Sequence, residues 1–309
     1  MQGATHGEQD DGAGRVGRRA FVIGMAGLVA AVPGITNAVA QQEAAQQRVA
    51  PQLASPITRA AGVAVLGQAA KALCLLDTRW VLVDEDGTTY ETKGLEDANV
   101  IDVAADERGV LAVGSRRAGT STEATVWQSA DGVTWLEVMR LTGTNSEFTG
   151  VGFGPGTAMA LGSTLSEERS PKNTLAARRI GRTWAVVPVT GLEQTAEHAI
   201  TTLSGNRSGW VAAAVTQEGT TLFRSADGSS WSTLEALEDA AVQGVLIEGD
   251  GGVRWVANAV GGSAAIAGKV GAGRRPVIRE DAHAVGAVWS RRGPLSYWLV
   301  DGHLVTAGI

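Results

Sequence analysis

The chain has 309 residues, 44% hydrophobic and 19% charged, which supplies material for a sizeable core and excludes disorder throughout. Its net charge is −6, and no clustered Lys/Arg tract follows the N-terminal segment, so nucleic acid binding lacks an electrostatic footing. A single cysteine, Cys74 in an apolar ALCLL run, excludes an intramolecular disulfide and reads as a small buried hydrophobe; 41 glycines against 8 prolines suit tight turns between short strands.

Residues 1–40 have the three parts of a secretory signal in order. A polar region ends in Arg18-Arg19, an apolar run extends from Ala20 to Val32, and a small-residue cleavage site stands at Ala38 to Ala40. The apolar run is shorter than the roughly 20 residues a membrane span needs, so no stable membrane insertion is expected after cleavage. Arg18-Arg19-Ala20-Phe21-Val22 resembles the twin-arginine export signal, usually Arg-Arg-x-Phe-Leu, with Gly17 where Ser or Thr is usual and Val22 where Leu is commoner. That resemblance implies a bacterial or archaeal protein exported already folded. The other reading, a general secretory signal with a basic end, equally places residues from Gln41 onward outside the cytoplasm, in the envelope or the medium.

Residues 41–56 are Gln- and Ala-rich and read as a linker, within which Gln47 to Leu53 is able to form one strand. From residue 57 to 309 the chain repeats itself. The stretch SADGVTW (Ser129 to Trp135) returns as SADGSSW (Ser225 to Trp231), 96 residues later. Halfway between lies RRIGRTW, with Gly181 and Trp184 in register and Ile180 in place of the Asp. Upstream stands DEDGTTY, with Asp86, Gly87 and Tyr90 in register, and a weak fifth copy surrounds Gly273. Successive glycines are 45, 49, 47 and 45 residues apart. Apolar runs such as NVIDVAAD, GVLAVGS and FTGVGFG recur around each turn, so each unit comprises about four short strands. Four strands per 45 or so residues predict a blade of a β-propeller.

The composition of the turn has a physical reason. Gly132 and Gly228 supply a positive φ, Asp131 and Asp227 accept from backbone N–H groups of their own turn, and Ser129 and Ser225 reinforce the loop. Trp135 and Trp231 open the outer strand and bury a large face against a neighbouring blade. The pattern resembles the Asp-box, Ser-x-Asp-x-Gly-x-Thr-Trp, of sialidases and many unrelated propellers, one residue shorter here. The resemblance covers five turns, two of them clear, and it implies architecture and no activity, since the box lies away from the active site.

The turns mark blades at roughly 57–97, 98–143, 147–193, 197–239 and 240–281, and the remaining residues offer three more strands. An all-β propeller of six four-stranded blades is expected, the last completed by the N-terminal strand, with five or seven blades left open by the eroded fifth turn.

No catalytic, metal or cofactor site is assigned. Asp84-x-Asp86-Gly87 begins like a calcium loop but lacks the further oxygen ligands, and His198, His283 and His303 have no ligand spacing. Sialidase chemistry, as the resemblance would imply it, needs an arginine triad, a Tyr nucleophile paired with Glu, and an Asp. Only Tyr297, near Arg291 and Arg292, is left for it. Two readings remain. The first is a monomeric noncatalytic scaffold binding an unidentified protein or glycan, to which any of Trp127, Trp210, Trp255, Trp289 and Trp298 that reaches the rim would give a stacking surface. The second is an exported hydrolase whose acids, such as Asp102, Asp106, Glu147 and Glu248, line the central channel.

Overall fold

The computed structural model describes residues 48–49, 57–66, 69–84, 86–168, 170–192, 198–260, 264–272, 277–290, 293–301 and 303–309. Arg18, Arg19, the linker other than 48–49, Gly273, Arg291 and Arg292 lie outside the described residues.

Short apolar runs separated by glycine or aspartate turns pair as consecutive antiparallel hairpins. The first blade is β2 (Ile57–Leu66), β3 (Ala69–Leu76), β4 (Arg79–Asp84) and β5 (Thr89–Glu91); the second is β6 (Ala98–Asp106), β7 (Gly109–Ala118), β8 (Ser121–Ser129) and β9 (Leu136–Arg140). The third is β10 (Ser146–Gly154), β11 (Thr157–Leu165), β12 (Pro171–Ile180) and β13 (Thr183–Val186); the fourth is β14 (Ala199–Asn206), β15 (Gly209–Val215), β16 (Gly219–Ser225) and β17 (Ser232–Glu238). The fifth is β18 (Ala240–Ile247), β19 (Val253–Ala259), β20 (Ala265–Lys269) and β21 (Val277–Arg279). The sixth takes β22 (His283–Ser290), β23 (Gly293–Val300) and β24 (His303–Gly308) from the end of the chain and β1 (Arg48–Val49) from its beginning. Arg48 pairs with Thr306 and Val49 with Val305, so the N-terminal strand covers an edge that β24 would otherwise leave open. The protein is a six-bladed β-propeller closed by its N-terminal strand.

The core is divided among the blade junctions. Leu73 and Leu82 of the first blade pack with Val100, Trp127 and Trp135 of the second. Val211 and Leu222 of the fourth meet Val245 and Trp255 of the fifth. Cys74, fully buried, joins Val81 to Tyr297 and Leu304 across the closing junction. Each fully buried side chain of this size contributes about 1.5–3 kcal/mol, so the ring is held by the sum of its junctions.

The repeated turn serves two of those junctions. Ser129 Oγ accepts from the Gly132 N–H at 2.8 Å, and Asp131 Oδ1 accepts from Val133 and Thr134 at 2.8 and 2.9 Å. The same bonds recur at Ser225, Asp227 and Gly228, and both glycines have φ near +75° (77° and 74°). These donors hold the Asp131 carboxyl below its usual range and the Asp227 carboxyl at about 2. The indole N–H groups of Trp135 and Trp231 close the loop onto the carbonyls of Gly132 and Gly228. Each turn also bonds to the blade before it. Lys93 N–H donates to Val133 and Trp135 N–H to Lys93, both at 2.8 Å, and Thr190 is bonded in the same way to Ser229 and Trp231 at 2.9 Å.

The two degraded copies differ in ways that side-chain chemistry explains. In DEDGTTY the carboxylate that accepts from the turn is Asp84, which takes the N–H of Asp86 and of Thr88, and not Asp86, which aligns with Asp131. Tyr90 donates its hydroxyl to Asp84 and stays at the surface, unlike the buried Trp135. In RRIGRTW the ladder runs on to an Ile180↔Thr183 pair, leaving a two-residue turn with Gly181 at φ 63°. With no Asp to hold a wider loop, the hairpin tightens, and Trp184 is only partly buried.

Candidate functional site

The innermost strand of every blade, β2, β6, β10, β14, β18 and β22, contains a register shift at one common place. The extra residue is followed by Gly62, Asp102, Gly150, Thr202, Gly244 and Gly286 in the six blades. These strands surround an axial channel of about 660 Å³. At its waist the blades approach so closely that a β-carbon on Gly150 would lie 2.9 Å from the Leu203 nitrogen, and one on Gly244 would lie 2.9 Å from the Ala287 nitrogen. Glycine at these places lets the ring close.

Asp102 is the one acidic side chain at this level. Its Oδ1 accepts from its neighbour Val103 at 2.8 Å and its Oδ2 from Val151 of the third blade at 2.9 Å; the Leu203 N–H of the fourth blade also favours its charged form. Enclosure by backbone outweighs these donors and pushes the Asp102 carboxyl up to about 7.

The mouth lies where the same strands end. Arg108 donates to Asp106 at 2.6 Å and stacks 4.9 Å from the centre of the Phe153 ring. Asn206 reaches the carbonyls of Ile247 and Glu248 on the next blade. Trp289, the penultimate residue of β22, donates its indole N–H to the Ile247 carbonyl at 3.3 Å and is 42% exposed. That bond holds the ring where it lines the channel, with part of its surface exposed. The other tryptophans outside the repeated turn, Trp80, Trp127, Trp210, Trp255 and Trp298, are buried.

No protein-family model matches this sequence, and no curated protein matches it. The chain is similar in structure to a gluconolactonase from Xanthomonas campestris at TM-score 0.58 and 10% identity, covering 85% of this chain and 94% of that one. It is similar to virginiamycin B lyase from Staphylococcus aureus at TM-score 0.53 and 9% identity, covering 85% and 98%. The propeller domain of Cps50 (Swd1) from Myceliophteria thermophila gives TM-score 0.51 at 13% identity, covering 81% and 83%. Two enzymes and a propeller domain share this architecture, and identities this low establish the fold alone.

The acids singled out from the sequence separate. Asp102 and Asp106 line the channel, whereas Glu147 lies at the opposite end of β10, near enough to Arg59 to favour its charge, and Glu248 is paired with Arg254 at 2.8 Å and with Lys269. Asp102 and Asp106 are four residues apart on one strand, about 13 Å at 3.3 Å per residue, and Asp106 is held by Arg108. Facing glycosidase carboxylates stand about 5–9.5 Å apart. Tyr297 is fully buried among core side chains, and no group of His, Cys, Asp or Glu among the described residues gathers to hold a metal.

Sequence reasoning missed how Asp102 is placed, although a signal existed. Aligned on the register shift, the inner strands read GVAV, DVAA, GVGF, TLSG, GVLI and GAVW, which isolates Asp102 as the charged exception in a glycine position.

Proposed function

We propose that this protein is an exported, noncatalytic propeller that binds its ligand at the mouth of the axial channel, with Trp289 as the stacking surface. An exposed indole whose N–H is already bonded to the neighbouring blade offers a rigid apolar face at low entropic cost. That observation carries the reading. The roughly 13 Å between Asp102 and Asp106 along one strand at 3.3 Å per residue supports a binding role, because glycoside hydrolysis requires facing carboxylates about 5–9.5 Å apart. The reading also includes an Asp-box turn in the sialidase-like manner, supported by the Ser129–Asp131–Gly132 and Ser225–Asp227–Gly228 bonds, and twin-arginine export, supported by the Arg18-Arg19 motif. The mature chain acts as a monomer outside the cytoplasm, in the envelope or the medium.

A glycan array and a pull-down from envelope extract test the binding role, run beside a fluorogenic glycoside and ester screen. Binding that falls about tenfold in W289A without turnover in the screen is expected, on the scale of a lost stacking contact. Turnover by the wild type would favour the channel-hydrolase reading, which the raised Asp102 carboxyl alone supports.

A further inference from the structure

The residue after each register shift faces the N–H of the next blade. A β-carbon on Gly62 would sit 3.0 Å from the Val103 nitrogen, one on Gly244 would sit 2.9 Å from that of Ala287, and one on Gly286 would sit 3.7 Å from that of Val63. Val63, Val103, Val151, Leu203, Val245 and Ala287 hold the same ladder position in their blades. Each inner strand is paired on one side only, so these N–H groups point at the channel, as the Val103 and Val151 bonds to Asp102 demonstrate. Asp102 covers one side of the waist. On the other side, glycines at 244 and 286 leave the N–H groups of Ala287 and Val63 facing the axis with no side chain from those positions between.

The waist therefore sets one carboxyl acceptor opposite backbone donors, at the bottom of a channel whose mouth bears Trp289. Trp289 lies three residues beyond Gly286, the sixth-blade counterpart of Asp102, or about 10 Å along the axis at 3.3 Å per residue. An anionic group at the waist would be repelled by the ionised form of Asp102, and a cation would meet the positive ends of N–H dipoles beside a single carboxyl. A hydroxyl group suits both sides, since it donates to the carboxylate and accepts from an N–H. The ring of strands admits a ligand along the axis, and Asp102 lines that path.

We infer that the channel receives the end of a neutral sugar chain, one ring stacked on Trp289 and the terminal hydroxyls bonded at the waist, with Asp102 as the specificity-determining residue. This inference rests on the mouth-binding reading, and it selects glycan over protein as the partner.

The test uses an array of immobilised neutral oligosaccharides, each presented with its far end free or with both ends blocked, probed with wild type, W289A, D102N and D102G. Glycine is the residue of four other blades at this position, so D102G keeps the waist foldable if D102N does not. Free-ended chains should bind the wild type, and W289A, D102N and D102G should each weaken binding about tenfold or more. Monodeoxy versions of the best-bound sugar should lose affinity for the wild type and, for the hydroxyl that meets Asp102, lose no further affinity in D102N. Loss in W289A with D102N and D102G unchanged would overturn the inference and leave the mouth reading standing. Equal binding of blocked chains would also overturn it, as would no binding of any sugar by the wild type, a result that leaves the mouth reading to the pull-down.

Discussion

Gly94 lies against the carbonyl oxygen of Trp135 at φ 90°, so closely that a β-carbon on residue 94 would overlap that oxygen. Gly191 stands in the same relation to Trp231 at φ 75°. In both cases the end of one blade is pressed onto the last residue of the repeated turn of the next, beside the paired backbone bonds at Lys93 and Thr190. The turn is thus a fastener between the first and second blades and between the third and fourth.

Replacing Gly94 with Ala combines a disfavoured φ with a backbone clash, and should cost about 3 kcal/mol or more. Gly181 has φ 63° and open space around it, so G181A should cost only about 1 kcal/mol. Thermal unfolding of the two variants should separate them clearly, and equal melting points would contradict the fastener.

The capping carboxylate of the first blade is Asp84. D84A strips an acceptor from two backbone N–H groups and the Tyr90 hydroxyl, and should cost about 1–2 kcal/mol, whereas D86A should stay within about 0.5 kcal/mol. D131A and D227A should match D84A. Alignment by sequence predicts the opposite ranking for 84 and 86, so chemical denaturation of this pair is decisive.

How far the fold was legible in the sequence follows from which signals are local. Asp131-Gly132 and Asp227-Gly228 are local, since a turn needs φ > 0 and acceptors within its own few residues, and their spacing carried the blade count. The closing strand was legible because three runs remained after the fifth blade and Gln47 to Leu53 could complete them; Arg48 and Val49 do so. The site was not legible in the same way. Asp102 meets donors 49 residues away at Val151 and further still at Leu203, and Trp289 differs from the buried Trp298 in standing on the innermost strand, β22, where it lines the channel, whereas Trp298 lies on β23. Those relationships exist only when the blades stand around an axis.

Asp102 makes stability depend on pH in a definite direction. Its folded carboxyl titrates at about 7, above the 3.8 of a free carboxyl, so the folded state holds the extra proton between those values. Stability from this group is fully present below pH 3.8 and is lost as pH rises through about 7. The stability of wild type minus that of D102N should therefore fall across that window and level off above it. Denaturant titrations at pH 5 and pH 8 check the sign, and a difference that grows with pH would contradict the placement of Asp102.

A ligand held at the channel mouth must register on Trp289 itself. With nine tryptophans in the chain, the indole N–H resonances can be assigned by single substitution and followed while an array-selected glycan is added. The Trp289 signal should shift in proportion to occupancy, while those of the buried Trp127, Trp210, Trp255 and Trp298 stay in place. Saturable binding that leaves the Trp289 resonance unmoved would contradict the account.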